Sequence, residues 1–169
     1  MSEFCQKKNN KYVSNINSQI LNSFFCSSPG LEVYLNEKGR AVRTVRKFSK
    51  GDFVCEYEGE LVNKKTSKER EQLYGPYKMC YMFYFSSGSK NLCIDATDEG
   101  KFGHTFGRLL NHSSLSPNVE PRLQKKNKGN DRPRLNFHAI HDIDVGVELL
   151  WDYGIKDPEV VAENPWLLL

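Results

Sequence analysis

The sequence predicts a β-rich α+β domain, and three observations carry that prediction. From Leu31 onward, short stretches alternate apolar and polar residues and are cut by Gly, Asn and Asp. Only two segments carry both the start and the stop signals of a helix. Strands and helices do not alternate as a parallel βαβ sheet requires, and no internal repeat is visible.

Taken in order, residues 1–30 are rich in Asn, Ser and Lys, with one apolar cluster at Ile20, Leu21, Phe24 and Phe25. They are expected to form a loose arm that docks one short helix. Leu31–Leu35 alternates like a half-buried strand, and Gly39 opens a second strand through Val42 and Val45. A Lys50-Gly51-Asp52 turn precedes a third strand, Phe53–Tyr57. Thr66 and Glu69 have the spacing of a capping box, good helix formers follow through Leu73, and Gly75-Pro76 stops the helix. Tyr81–Phe85 and Leu92–Asp95 read as strands joined by the Ser86–Lys90 turn. Val119–Leu123 and Leu135–Ile140 flank a polar loop, and Glu148–Trp151 is a last short strand. Asp157-Pro158-Glu159 starts a second helix that Asn164-Pro165 ends.

Composition bounds the function classes. With 169 residues, 38% of them hydrophobic and 27% charged, the chain supports one domain with a modest core. No run approaches the ~18 apolar residues of a membrane helix, so no membrane role is expected. The polar start predicts no secretory signal, and five scattered cysteines predict thiols in a reducing, intracellular compartment. A net charge of +3 is too small to announce nucleic-acid binding by itself.

Motifs narrow the field further. No phosphate-binding loop or dinucleotide fingerprint is present; Gly100, Gly103 and Gly107 have the wrong spacing and context. His104, His112, His138 and His141 form no HExxH pattern and no thiol cluster joins them, so no metal site is expected. Cys80 with His112 and Asn111 lacks the surroundings of a thiol hydrolase. The densest basic segment runs from Lys125 to Arg134, either a solvated hairpin tip, a patch for nucleosomal DNA or another acidic surface, or a weak nuclear-import signal.

Three clusters are harder to assign to folding alone: Gly39-Arg40-Ala41-Val42, Gly107-Arg108-Leu109-Leu110-Asn111-His112-Ser113 and Glu148-Leu149-Leu150-Trp151-Asp152-Tyr153-Gly154. In this order they resemble the SET-domain protein lysine methyltransferases. The likeness runs from Leu31 to the C-terminus. It is nearest to the subgroup that monomethylates one lysine of the histone H4 tail, through Phe48–Val54, Glu56-Tyr57, Gly59, Cys80-Tyr81-Met82, Asp95-Ala96-Thr97 and Pro165-Trp166-Leu167. The zinc-binding cysteines that flank the core of most H3-directed relatives are absent.

The resemblance implies small curved sheets around a pseudoknot, a SET domain over 31–154, and a C-terminal helix and tail over 155–169 that close a cofactor site. It implies S-adenosylmethionine as methyl donor and S-adenosylhomocysteine as product. Lys38, Gly39, Arg40, Tyr81, Asn111, His112 and Trp166 would hold the cofactor, Trp166 by stacking on adenine or by pinning the tail. Tyr153 and Tyr57 would be catalytic, and Tyr57, Cys80, Trp151 and Tyr153 would line the lysine channel. The competing reading of Tyr57 and Tyr153 is buried core tyrosines with satisfied hydroxyls, and the co-occurring motifs weigh against it.

The implied partner is a histone tail, H4 within nucleosomes, met by a monomer in the nucleus on chromatin. Two departures stand out. Ala41 replaces the family's second Gly, and Trp151 occupies a position usually Tyr or Phe that governs how many methyl groups are added. Two classes remain: an active enzyme, or a catalytically weak or silent SET-fold module that binds histone or chromatin. Intact Tyr153, Asn111 and His112 favour the enzyme.

Overall fold

A two-residue turn at Glu37–Lys38 folds β1 (Leu31–Asn36) onto β2 (Gly39–Thr44), with Leu31 opposite Thr44 and Asn36 opposite Gly39. The computed structural model describes residues 30–75, 81–124 and 132–168. Nearly all of the expected arm, together with Cys80 and the lysines of the basic loop, lies outside them. The alternation read at Leu31–Leu35 holds for Leu31 and Val33, which are buried between the half-buried Glu32 and Tyr34, and it ends at the exposed Leu35.

β3 (Phe53–Glu56) pairs with β9 (Arg134–Ala139), which also pairs with β8 (Val119–Gln124). A register shift between Phe53 and Cys55 breaks the period of two. Val54 and Cys55 therefore both enter the core, and Phe53 faces out. A third sheet has the order β4 (Glu60–Asn63), β6 (Lys90–Asp95), β5 (Met82–Ser87). β5 and β6 are longer than the sequence suggested, because the turn between them is only Gly88-Ser89. The fourth pairing is parallel and two residues long: β7 (Asn111–His112) beside β10 (Leu150–Trp151). β4 and β7 were missed, being too short to show a period.

Helix α1 spans Lys64–Tyr74, starting before the expected capping box. Asn63 is its cap, and its side chain accepts from the Thr66 backbone N–H at 2.9 Å. Lys64, Lys65 and Lys68 crowd its first half with no acid in the first turn. Lys64 and Lys65, in the first turn, oppose the helix dipole at a cost of ~0.3–1 kcal/mol each. Ser67 is the buried residue of α1, so polar ties supplement little apolar packing. Arg70 bonds Asp95 and Glu60, each at 2.9 Å, and the Tyr74 hydroxyl donates to Asp95 at 2.7 Å. Two short helices complete the set: α2 (Glu99–Phe102), unforeseen, and α3 (Pro158–Glu163), capped by Asp157 as expected. Beyond α3 the chain continues as a 3-10 turn, Pro165–Leu168, where the sequence suggested an end. Among the described residues no helix is long and apolar enough to cross a membrane.

The core joins all four sheets through Val42, Phe48, Leu110, Phe137 and Leu149, which are fully buried. A smaller cluster of Val62, Met82 and Cys93, with Tyr74 and Tyr84, lies between the third sheet and α1.

Asp95 is only 2% exposed, so Arg70 compensates a charge that water cannot reach. Burial pushes its carboxyl up, but hydrogen bonds from Arg70, Thr97 and Tyr74 outweigh this and hold it below its ordinary value. A depressed carboxylate contributes stability above its unfolded pKa, ~3.9, and loses it as pH falls through the folded value. Arg70→Ala is expected to cost about 3 kcal/mol near neutral pH. Thermal unfolding from pH 7 to 3 should show the gap to wild type narrowing below pH 4.

Candidate functional site

The site is organised by the parallel pair β7–β10, which sets Asn111 against Leu150 and His112 against Trp151. Asn118 locks it, its side chain accepting from Leu150 N at 2.8 Å and donating to the Glu148 carbonyl at 2.7 Å. The 3-10 turn Gly107–Leu109 leads into β7 and passes close beneath the end of β3. A Cβ on Gly107 would lie 2.8 Å from the Tyr57 Cα, so glycine permits this approach.

The pairing brings rings together. Tyr57 lies 5.5 Å from Phe83, and Phe83 stacks on Trp151 at 5.2 Å with 25° between planes. Trp151 also meets Phe137 at 5.3 Å and Tyr153 at 4.6 Å. Tyr153 reaches His112 at 4.9 Å, and His112 meets Trp166 edge-on at 5.9 Å. An unbroken file of rings thus links Tyr57 on one side to Trp166 on the other. Phe83 and Phe137 belong to it although the sequence did not single them out; their strand alternation was the available signal. Trp151 is buried and held on three sides, so its indole has little room to move.

Each polar group in this file has a defined partner. The Tyr153 hydroxyl donates to the Leu110 carbonyl at 2.9 Å, and Tyr153 N–H donates to His112 Nδ1 at 3.1 Å. A ring nitrogen that accepts carries no proton, so His112 is protonated on Nε2 and donates it to the Leu167 carbonyl at 2.9 Å. His112 therefore clamps the knot to the last 3-10 turn. Trp166 is half-buried beside this clamp, edge-on to His112. Burial, followed by the charge of neighbouring Tyr153, holds the Tyr57 phenol well above its ordinary value and keeps it protonated.

On the other side sits the Lys38-Gly39-Arg40 turn. Lys38 N–H donates to Asn36 Oδ1 at 2.8 Å, and Gly39 takes φ +103° with nothing within 4 Å of where a Cβ would be. Ala41 is fully buried in β2, on the face opposite core residue Val42. Arg40 pairs with Glu99 at 2.6 Å and reaches the Tyr81 hydroxyl at 3.4 Å. Arg108, its side chain 0% exposed, lies over the Tyr81 ring at 3.7 Å and also bonds Glu99, at 2.8 Å. Burial pushes the Glu99 carboxyl up, yet Arg40 and Arg108 together bring it down to about 2.

Glu148 is the residue that sequence reasoning most undervalued. One carboxylate accepts from the Tyr34 hydroxyl at 2.8 Å, Asn111 Nδ2 at 2.8 Å and Asn36 Nδ2 at 3.2 Å. Burial, then this carboxylate, raises the Tyr34 phenol to about 12. Through Asn36, Glu148 ties the Lys38–Arg40 turn to Asn111. The structure thus gathers Tyr57, Trp151 and Tyr153 at one end and Arg40 with Tyr81 at another, with Asn111 and His112 between them.

Comparison with known proteins places this geometry. Residues 39–154 match the family model described as the SET domain. The chain is 40% identical over 141 residues to the histone-lysine N-methyltransferase set-1 of Caenorhabditis elegans, covering 82% of this chain and 56% of that protein. It is 42% identical over 133 residues to the N-lysine methyltransferase KMT5A of Xenopus tropicalis, 77% of this chain and 37% of the relative. To the histone-lysine N-methyltransferase Set8 of Drosophila melanogaster it is 39% identical over 142 residues, covering 82% and 19%. The chain thus spans little more than half, or less, of these relatives. Its fold is similar to the crystal structure of CpSET8 from Cryptosporidium, with TM-score 0.68 and 35% identity over 89% of this chain and 70% of that one.

Glu148→Ala strands three donors, one of them the buried amide of Asn111, and is expected to destabilise the protein by about 2 kcal/mol. Glu148→Gln keeps one accepting oxygen and should cost roughly half as much. Equal losses in thermal unfolding would contradict the tie described above.

Proposed function

The chain belongs to the SET-domain family, and from that membership we propose that it is an S-adenosylmethionine-dependent protein-lysine N-methyltransferase that monomethylates histone H4. The observation that carries the reading is the gathering of Tyr57, Trp151 and Tyr153 into one aromatic wall, with the Tyr153 hydroxyl fixed on Leu110 beside the knot.

The residues present suit the cofactor. The open side of the Gly39 turn admits a ligand to the main chain of Lys38, Gly39 and Arg40. Arg40 offers positive charge to a carboxylate, and Tyr81, Asn111 and His112 stand between that turn and the tail. The half-buried Trp166 indole offers a surface to adenine. Inside the 0%-exposed Arg108 side chain, Nε and Nη1 have no hydrogen-bond partner, so this region has unused donor capacity. When bound, S-adenosylmethionine supplies an electrophilic methyl group on a sulfonium.

The protein's task is then to present a neutral lysine amine. A lysine of pKa ~10.4 must lose its proton at pH 7, a cost of about 4–5 kcal/mol. The apolar walls of Tyr57, Trp151 and Tyr153, joined by Cys80 where the family resemblance assigns it to the channel, disfavour the ammonium form and offset that cost. Tyr153, donating its hydrogen to Leu110, presents its oxygen as an acceptor held at a fixed angle. The partner is a histone tail, H4 in nucleosomes, acted on in the nucleus by a monomer, with the Lys125–Arg134 loop meeting nucleosomal DNA.

Labelled S-adenosylmethionine incubated with nucleosomes is expected to label H4. Tyr153→Phe should lower kcat ~10²–10³-fold, as loss of one preorganised polar group does. Its melting temperature should fall only by the equivalent of ~1 kcal/mol. No label from the unmodified protein would favour the silent module instead.

The packing of Trp151 bears on product. An indole wedged between Phe83 and Phe137 cannot yield space to a second methyl without strain of ~1–3 kcal/mol. Exhaustive reaction with an H4-tail peptide is expected to give monomethyl product by mass spectrometry, and Trp151→Phe to shift it towards dimethyl. Abundant dimethyl product from the unmodified enzyme would overturn the volume argument.

A further inference from the structure

Among the described residues, two rings touch both Tyr57 and Trp151. Phe83 lies 5.5 Å from the first and 5.2 Å from the second, and Phe137 lies 6.4 Å and 5.3 Å away. They hold the indole in different ways. Phe83 stacks on it with 25° between planes, whereas Phe137 meets it at 61°. An edge-on neighbour blocks movement towards itself, but a stacked neighbour also fixes the tilt of the ring plane.

The two rings also differ in their own support. Phe137 is fully buried on β9, the central strand between β3 and β8. Phe83 is half-buried on β5, an edge strand that pairs only with β6 in its sheet. Register sets Phe83 opposite Ile94 and Ile94 opposite Leu61, on the face that meets the main core. Its neighbours Met82 and Tyr84 pack on the other face with Val62 and Cys93. The wall of the ring file with room to adjust is therefore Phe83.

We propose that Phe83 is a specificity-determining residue that acts through Trp151 and Tyr57: by fixing the tilt of the indole it limits the channel to one methyl group. The proposal rests on the lysine-methyltransferase reading above and adds a positioning residue to it. Folding alone asks only for an apolar side chain beside Ile94 and Leu61, and a leucine would serve. A flat ring is needed where the plane of the indole matters. With leucine at this position the stacking surface is lost, and the indole leans into the freed volume. A second transfer then has space. An N–C bond forms to the neutral monomethylated amine as the S–C bond of S-adenosylmethionine breaks, giving a dimethylated ammonium and S-adenosylhomocysteine.

The test is exhaustive reaction of the full chain with nucleosomes, followed by mass spectrometry of H4. The unmodified protein is expected to stop at monomethyl product, and Phe83→Leu to raise the ratio of dimethyl to monomethyl on the order of 10-fold. Phe83→Met, unbranched and closer in volume, is expected to act the same way if the leucine variant does not fold. Phe83→Tyr keeps the ring and should behave as the unmodified protein. Val62→Ala weakens the same sheet from its other face and should leave the product unchanged, which separates specificity from lost stability. The indole gives a second readout. Trp151 and Trp166 are the two tryptophans, so in a Trp166→Phe background Phe83→Leu should make the emission of Trp151 several-fold more open to acrylamide quenching. Monomethyl product from both the leucine and methionine variants, while the unmodified protein is active, would overturn the proposal and leave the reading. So would an equal gain of dimethyl product in Val62→Ala. No methyl transfer by the unmodified protein would overturn the reading, and the proposal with it.

Discussion

Everything at the centre of this protein depends on two residues of parallel pairing, Asn111–His112 beside Leu150–Trp151. A contact so short has almost no ladder strength of its own. It holds because side chains take over the work of main-chain bonds: Asn118 bonds the Leu150 N–H and the Glu148 carbonyl, and the Glu148 carboxylate collects donors from β1 and β7. Satisfying these groups away from water is a condition of burial. Three separate sheets are thereby held around one core that none of them could enclose.

The same polar scaffold distributes charge with some economy. Glu99 stands between Arg40 and Arg108, so one carboxylate compensates two guanidinium groups, one of them buried. Tyr81 sits against both cations, its ring under Arg108 and its hydroxyl near Arg40. The ring file is nearly free of charge by contrast, and its phenols are held in the neutral form or bonded to main chain. A charged side and an apolar side therefore meet at Asn111 and His112.

Much of this was legible in the sequence, and the rest was hidden for physical reasons. Alternation marked β1, and strand-forming residues bounded by turn signals marked β2, β3, β5, β6, β8 and β9, although a bulge buries consecutive residues in β3. The reading failed at β4 and β7, which are shorter than any detectable period. α1 was found but mis-started, since Asn63 and Thr66 both look like caps and only contact decides. Asn111, His112, Trp151 and Tyr153 were found through motif order, not through chemistry visible in isolation. Glu148, Asn118, Phe83 and Phe137 act through partners far away in the chain, and no local pattern announces that. Family resemblance supplied the knot. The structure supplied the bonds that close it.

The clamp on His112 also sets a schedule for making the protein. Its Nδ1 waits for the backbone of Tyr153, 41 residues later, and its Nε2 for Leu167. At ~5–20 residues per second, ribosomes need roughly 2–8 s to cover the first of these gaps. Throughout that interval the apolar run Leu109–Leu110 and the amide of Asn111 have been synthesised without the strand that covers them. Long-range closure of this kind slows folding and prolongs exposure of sticky surface. Slower translation through the segment between the two halves of the knot would lengthen the time for which Leu109, Leu110 and Asn111 lack their covering strand.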